Sequence, residues 1–279
     1  MKKLIFLAVL ALSACQYAEP ASDLVMCHDP NNALDLFAAF AGDPQFRSMH
    51  PDPASTEVNS EGAFIQFPVE GGPDGRGFLV KAAKKTNRYL LLFHEWWGVN
   101  DYIKNEAAMW SKELKINVLA VDLYDGKVAS TSEEAGKLMQ ANDAKRSSAI
   151  VLGAAKHLGE KANFRTMGWC FGGGWSLQAS LLLKEKSKAC VMFYGMPEKD
   201  VEKLKQLQPK VLFVHAMKDK WINDEVVATF ETNMKAANKS LTVSRYDADH
   251  AFANPSSPRY NETNAKQARD TVKSFLKSK

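Results

Sequence analysis

The stretch Arg165-Thr-Met-Gly-Trp-Cys-Phe-Gly-Gly-Gly174 decides the fold. Its first half has the apolar character of a strand, and its glycine-rich second half indicates a tight turn into a helix. The segment Gly168-Trp-Cys-Phe-Gly172 has the glycine, nucleophile, glycine spacing of a nucleophile elbow, with cysteine where serine is usual. Glycines suit such a turn because a Cβ at either position collides with neighbouring backbone. We expect Cys170 at a helix N-terminus, which favours the thiolate form.

Apolar or alternating runs of strand length recur on both sides of this turn. Helix-length amphipathic segments separate the later runs, and such alternation predicts a mostly parallel sheet with helices on both faces. The first two runs are joined by Gly71-Gly-Pro-Asp-Gly75, which is typical of a hairpin. The fold class is therefore α/β, with a central sheet of about eight strands. The runs cover residues 62–69, 76–82, 89–94, 116–122, 164–169, 188–194, 210–215 and 241–246.

Two polar residues follow later strands of the predicted sheet. Asp219 comes after the strand that ends at His215, and His250 comes after the strand that ends at Tyr246. The carboxyl ends of parallel strands meet at one edge of a sheet, so both side chains are expected near Cys170. The chain order nucleophile, acid, histidine is that of α/β-hydrolases. Taken singly, a loop aspartate is usually a turn residue and a loop histidine is usually solvated; together with Cys170 they predict a catalytic triad.

Four stretches share the motifs of one family of enzymes. They are Leu92-Phe-His-Glu-Trp-Trp-Gly-Val-Asn100, Val121-Asp-Leu-Tyr124, Gly168-Trp-Cys-Phe-Gly-Gly173 and His250-Ala-Phe-Ala-Asn254. With these motifs the sequence resembles the dienelactone hydrolase family of α/β-hydrolases over roughly residues 61–277. The resemblance implies an α/β-hydrolase fold and hydrolysis of a small ester or lactone through a thioester intermediate.

The resemblance also assigns roles to residues around the nucleophile. Glu95 occupies the position of a glutamate that contacts the resting nucleophile in the family; a carboxylate there can accept the thiol proton when substrate displaces the pair. A structural ion pair is the alternative role for Glu95. The backbone N–H groups of Trp96 and Phe171 match the two donors of the oxyanion hole. His250, oriented by Asp219, then protonates the leaving group and activates water.

The expected substrate differs from that of family members that act on dienelactones. Those enzymes hold the substrate carboxylate with arginines, whereas Asn254 stands at one such position and residues 130–136 contain no arginine. Trp97, Trp169 and Phe252 instead suggest an aromatic pocket for a less charged ester, unless these rings belong to the core. No cofactor or metal is expected, because His94-Glu95 lacks the second histidine of a zinc helix motif.

The N-terminus predicts export. Residues 1–14 combine two lysines with a short apolar run, as in a secretory signal peptide, and Leu12-Ser-Ala-Cys15 resembles the lipobox of bacterial lipoproteins. We expect a lipid anchor on Cys15, with the protein at the outer membrane facing the periplasm; an ordinary signal peptide with a chance cysteine is the alternative. Residues 15–60 are interpreted as a tether and surface extension, containing a helix-like run at 34–40 and a loop at 49–53, and residues 61–279 as the catalytic domain.

Composition and cysteine usage complete these expectations. The 279 residues are 46% hydrophobic and carry a net charge of +4, too slight an excess to indicate a nucleic-acid partner. Cys190 lies in an apolar run and is expected to be a buried, inert thiol. Cys27 has no assigned role, although a mobile extension would let it reach Cys170. Oligomeric state stays open, and two alternatives to a hydrolase remain: a non-catalytic ligand-binding surface lipoprotein and an acyltransferase that uses the same triad.

Overall fold

The computed structural model describes residues 33–48, 50–54 and 61–278. The predicted signal peptide, the proposed lipidation site Cys15 and the unassigned Cys27 lie outside these residues. Within the described parts of the chain, no helix has the length and apolar character needed to cross a bilayer.

A single eight-stranded sheet forms the centre of the protein, in the spatial order β1-β2-β4-β3-β5-β6-β7-β8. The first two strands form the predicted antiparallel hairpin, β2 also pairs antiparallel with β4, and every other neighbouring pair is parallel. The predicted α/β class and the strand number are therefore confirmed. The strands are β1 Ala63–Phe67, β2 Gly75–Val80, β3 Arg88–Phe93, β4 Asn117–Val121, β5 Asn163–Trp169, β6 Ser187–Phe193, β7 Lys210–Ala216 and β8 Leu241–Tyr246.

Helices connect the strands, and polar side chains fix where several of them begin. Asn100 accepts a hydrogen bond from the Ile103 N–H at the start of α3, and Asn223 accepts one from the Val226 N–H at the start of α8. The helices are α1 Ala33–Ala39, α2 Pro44–Ser48, α3 Asp101–Leu114, α4 Ser132–Gln140, α5 Ala144–Leu158, α6 Phe171–Leu183, α7 Val201–Leu204, α8 Asp224–Ala236 and α9 Glu262–Lys277. Short 3₁₀ turns cover Phe40–Gly42 and Lys184–Lys186.

The sheet register brings the site residues to one edge. In the ladder, Phe93 at the end of β3 pairs with Gly168, and Trp169 at the end of β5 pairs with Phe193. Glu95 and Cys170 therefore leave adjacent strands at nearly the same height. Both strands are fully buried at these ends, so the site rests on the packed core of the sheet.

The N-terminal extension differs from the expected tether. Residues 33–48 and 50–54, which we call the cover segment, pack over the nucleophile edge of the sheet. Phe37 and Phe46 are among the largest fully buried side chains, and the Ala54 N–H donates to the Ser256 carbonyl at 3.2 Å. The helix-like run at 34–40 is helical as predicted, as α1 and the start of the 3₁₀ turn. The apolar face of this run packs against the rest of the protein, because transfer of its hydrophobic side chains out of water has a favourable free energy.

Candidate active site

The nucleophile elbow positions Cys170 at the junction of β5 and α6. The residue has φ 57° and ψ −121°, in the left-handed half of the backbone map, and its N–H donates to the Phe193 carbonyl at 3.0 Å. A Cβ on Gly168 would lie 2.0 Å from the Gly172 carbonyl oxygen, and a Cβ on Gly172 would lie 2.1 Å from the Phe93 carbonyl oxygen. Both glycines are therefore required by the close approach of backbone to backbone.

The structure places Asp219 and His250 beside this cysteine. His250 Nδ1 lies 2.5 Å from Asp219 Oδ2, while Asp219 Oδ1 accepts hydrogen bonds from the N–H groups of Trp221 and Ile222 at 3.0 and 3.1 Å. These bonds fix the carboxylate and, through it, the plane of the imidazole. A ring nitrogen of His250 lies within 4.8 Å of Cys170 Sγ. The three side chains thus form an ordered line from acid to imidazole to thiol.

Burial and charge set the protonation of these groups. Burial opposes a charged imidazole, but the Asp219 carboxylate and the Cys170 thiol raise the pKa of His250 well above its usual value. Although burial acts in the opposite direction, His250 and two backbone N–H groups lower the pKa of Asp219. Burial raises the pKa of the Cys170 thiol, and His250 offsets only part of this effect. The expectation of a thiolate favoured by the helix N-terminus therefore does not hold for the closed site, because desolvation outweighs it.

Glu95 lies in the same buried site and is held by an amide. Its Oε2 accepts a hydrogen bond from Asn254 Nδ2 at 2.5 Å, and its Oε1 has no partner among the described residues. Asn254 Oδ1 in turn accepts from the Ser256 backbone N–H and hydroxyl at 2.8 and 2.7 Å. Burial raises the pKa of Glu95 to about 7, although His250 and Asn254 counteract it. Within the described chain Glu95 forms no ion pair, and with a pKa of about 7 it can take up or release a proton near neutral pH at little cost in free energy.

The neighbouring histidine holds the loop that follows β3. His94 Nε2 accepts from the Leu123 N–H at 3.2 Å, which leaves the proton on Nδ1 to be donated to the Glu95 carbonyl at 2.5 Å. This orientation leaves the next N–H, that of Trp96, without a hydrogen-bond acceptor among the described residues. The Phe171 N–H, the first of α6, interacts with the Cys170 sulfur and lowers its pKa. The Phe171 N–H therefore contacts the nucleophile, and Trp96 lines the same cavity as Cys170.

The predicted aromatic pocket needs a correction. Trp97 lines the cavity beside Cys170, together with Trp96. Trp169 instead stacks on Phe193 and faces a separate internal cavity, and Phe252 is fully buried against Tyr194. Trp169 points into the core because it is the last residue of β5, where side chains alternate between the two faces of the sheet, and Phe252 lies in the turns after β8 with its ring buried. The remaining cavity measures only about 10 Å³, room for about one water molecule.

His50 is a site residue that the sequence analysis did not identify. It belongs to the cover segment, and its ring lies 4.9 Å from that of His250 and 4.8 Å from that of Trp96, between centroids. Burial, with the charge of His250, lowers the pKa of His50 to about 3, so the ring is neutral. His50, Cys170 and His250 each offer a ligand atom, all within 4.8 Å of one another, and could hold a metal ion. The sequence sign of this role was a histidine shortly after Phe46, in a segment that was interpreted as a surface extension.

Comparisons with known proteins agree with this geometry. The chain is 24% identical to carboxymethylenebutenolidase 1 of Cupriavidus pinatubonensis, in a match that covers 69% of this chain and 86% of that protein. It is 25% identical to protein usf of Aquifex pyrophilus, in a match that covers 69% of this chain and 87% of that protein. The fold also matches a crystal structure described as a dienelactone hydrolase-like promiscuous phosphotriesterase from metagenomic libraries, with TM-score 0.67 and 19% identity over 77% of this chain and 97% of that one. Residues 76–279 match the sequence profile of the dienelactone hydrolase family. The chain therefore belongs to the dienelactone hydrolase family.

Proposed function

We propose that this protein hydrolyses a small, weakly charged ester or lactone with Cys170 as the nucleophile. The observation that carries the proposal is the ordered line of Asp219, His250 and Cys170 at an elbow that only glycine can form. This arrangement gives the thiol a base within reach and gives that base an orienting carboxylate.

Acylation begins when substrate enters and the Cys170 thiol loses its proton to Glu95 or His250. The thiolate attacks the ester carbonyl, a carbon–sulfur bond forms, and the N–H groups of Trp96 and Phe171 bind the oxyanion. The tetrahedral intermediate collapses to a thioester when the carbon–oxygen bond to the leaving group breaks. His250 gives its proton to the departing alkoxide, which leaves as an alcohol.

Deacylation reverses the roles of the same groups. His250, now neutral, removes a proton from a water molecule that attacks the thioester carbonyl. The carbon–sulfur bond breaks, the acid product leaves, and the proton returns to Cys170. Asp219 stays ionised throughout and stabilises the imidazolium that forms in both halves.

The charge of the site indicates the class of substrate. No lysine or arginine lines the described cavity, and Asn254 is occupied by Glu95, so nothing there balances a substrate carboxylate. The apolar part of the lining includes Pro51, Pro53 and Trp97. We therefore propose a neutral acyl group, in contrast to the charged lactones that the family name implies.

Acyl transfer is a second candidate for the same triad. The cover segment leaves Cys170 only 1% exposed, and a thioester held beneath it would be shielded from bulk water. An alcohol or amine that enters the closed site would then compete with water as the acceptor of the acyl group. Product analysis with an added alcohol or amine separates the two reactions, since transfer yields a new ester or amide.

A screen of nitrophenyl esters that vary in acyl length and charge tests the proposed hydrolysis. Wild type is expected to prefer neutral short acyl groups, and Cys170→Ala is expected to lose at least about 10³-fold in kcat/KM. Cys190→Ser is the matched control, because Cys190 is buried beside Ser176 and far from the cavity. Full activity in Cys170→Ala, or equal loss in both variants, refutes the proposal.

We also propose that the protein is exported and lipid-anchored through Cys15. The apolar N-terminal run and the sequence Leu12-Ser-Ala-Cys15 support this, with the periplasmic face of the outer membrane as the expected location. Labelled palmitate should enter the wild type and not Cys15→Ser. Equal labelling of both proteins would refute the anchor and leave the proposed chemistry untouched.

A further inference from the structure

Two imidazoles from distant parts of the chain meet at the proposed nucleophile. His50 is supplied by the cover segment and His250 by the loop after β8. Ring nitrogens of both lie with Cys170 Sγ in a cluster whose atoms are all within 4.8 Å of one another. Of these three residues the proposed hydrolysis uses His250 and Cys170, so it leaves the position of His50 unexplained.

The hydrogen bonds of the two rings fix which nitrogen is available. His50 Nδ1 lies 2.7 Å from the Phe46 carbonyl oxygen, which can only accept, so Nδ1 carries the proton. His250 Nδ1 donates in the same way to the Asp219 carboxylate at 2.5 Å. Each Nε2 therefore presents a lone pair when its ring is neutral. A histidine that ligates a metal characteristically donates its other N–H to a carbonyl or carboxylate, as both rings do here.

Two polar atoms of the cavity are unsatisfied within the described chain. His50 Nε2 and Glu95 Oε1 are buried without a hydrogen-bond partner, while His250 interacts with Cys170. Buried polar atoms are normally paired, so two unpaired atoms beside the cysteine sulfur and the second imidazole indicate that a cationic group fits there. The carboxylate of Glu95 and a thiolate at Cys170 would supply compensating charge.

We propose that His50, Cys170 and His250 form a three-ligand site for a divalent metal of borderline softness, with Zn²⁺ as the reference ion. Two imidazoles and a thiolate are a donor set that Zn²⁺ prefers, with a fourth position left for water. Bond lengths of about 2.0–2.3 Å in a tetrahedral site put the ligand atoms about 3.3–3.6 Å apart, so each pair needs to close by at most roughly 1.5 Å. Binding releases the thiol proton and the Nε2 proton of the charged His250 ring to solvent as the zinc–sulfur and zinc–nitrogen bonds form.

The site would be inhibitory and would involve the cover segment directly. A metal on Cys170 and His250 occupies both the nucleophile and the base, and His50 joins them to the cover segment. Bound Zn²⁺ would therefore hold the segment closed over the cavity and keep electrophiles from the sulfur. This state is separate from the proposed ester hydrolysis, which needs no metal.

Cobalt titration of the apoprotein tests the site without any turnover assay. Co²⁺ bound to a thiolate gives a near-ultraviolet charge-transfer absorption, which we expect at one Co²⁺ per chain and which Zn²⁺ should displace. His50→Gln should weaken the Co²⁺ dissociation constant by at least about 10-fold, and Cys170→Ala should abolish the band. His157→Gln is the matched control, because His157 is exposed and remote from the cavity. No band in wild type, or unchanged affinity in His50→Gln, overturns the proposal.

Alkylation provides a second readout in the wild-type protein, where no substitution can disturb folding. Zn²⁺ should slow the carbamidomethylation of Cys170 by iodoacetamide by more than about 10-fold, and a chelator should restore the original rate. Peptide mapping assigns the modified cysteine. An alkylation rate that is independent of Zn²⁺ overturns the site even if the protein is an active esterase, and protection by Zn²⁺ supports it even if no ester is hydrolysed.

Discussion

The cover segment provides a prediction that links packing to the reactivity of the nucleophile. Phe46 is 0% exposed, and its ring centroid lies 4.2 Å from that of His50, 5.0 Å from that of Trp221 and 5.4 Å from that of Trp96. Replacing a fully buried phenylalanine by alanine costs about 3–5 kcal/mol. Because Phe46 belongs to a short peripheral segment, we expect this cost to fall on the docking of that segment and not on the sheet.

This free-energy cost predicts a change in the alkylation rate of Cys170. If alkylation of Cys170 requires the segment to open, a cost of about 3 kcal/mol raises the open population, and hence the rate, by about 150-fold, since 1.36 kcal/mol corresponds to tenfold. Carbamidomethylation by iodoacetamide, followed by mass spectrometry of the Cys170 peptide, measures this rate in Phe46→Ala. Phe64→Ala is the matched control, because Phe64 is 42% exposed on β1. An alkylation rate in Phe46→Ala within about threefold of wild type would refute the role of the segment as a cover.

Three further predictions concern the elbow, the acid and the buried carboxyl. Gly172→Ala should lower the free energy of unfolding by about 3 kcal/mol, because its Cβ would lie 2.1 Å from a backbone oxygen. The control Gly136→Ala, inside α4, meets only ordinary contacts and should raise the free energy of unfolding by about 0.5–1 kcal/mol. Urea denaturation measures both. Asp219→Asn should reduce kcat by about 10⁴-fold by leaving His250 in the wrong tautomer, and a loss below about tenfold would contradict that role. The pKa of Glu95 is 4.5 in the unfolded chain and about 7 in the folded protein, so the folded state binds more protons between these pH values. The stability of the folded state therefore falls as the pH rises from 4.5 to 7. Glu95→Gln should lack this decline in a series of melting curves at different pH.

The fold was predictable from local pattern alone. Apolar runs of strand length and the glycine pair around Cys170 respond to short-range constraints, namely backbone collisions and burial, which the sequence displays directly. The convergence of Asp219 and His250 also followed from the sheet, because parallel strands place their carboxyl ends at one edge. These features needed no knowledge of side-chain packing.

Side-chain direction and long-range packing were harder to predict. Trp169 and Phe252 were expected in the pocket because they lie close to site residues in sequence. Trp169 is at the end of β5, where adjacent side chains point to opposite faces, and the direction of Phe252 in its turn has no sequence pattern. His50 was missed since its partner His250 is far away in sequence, and no periodic pattern relates the two. The protonation of Cys170 also depended on burial by the cover segment, which outweighs the helix N-terminus.

The central claim is that Cys170 carries the acyl group during turnover. The most direct measurement is rapid mixing of wild-type protein with excess of a neutral nitrophenyl ester, an acid quench, and mass spectrometry of the peptide that contains Cys170. We expect the added acyl mass on Cys170, and greater accumulation in His250→Gln, where water is no longer activated. Ester turnover with no acyl mass on Cys170, or with the acyl group on another residue, would contradict it.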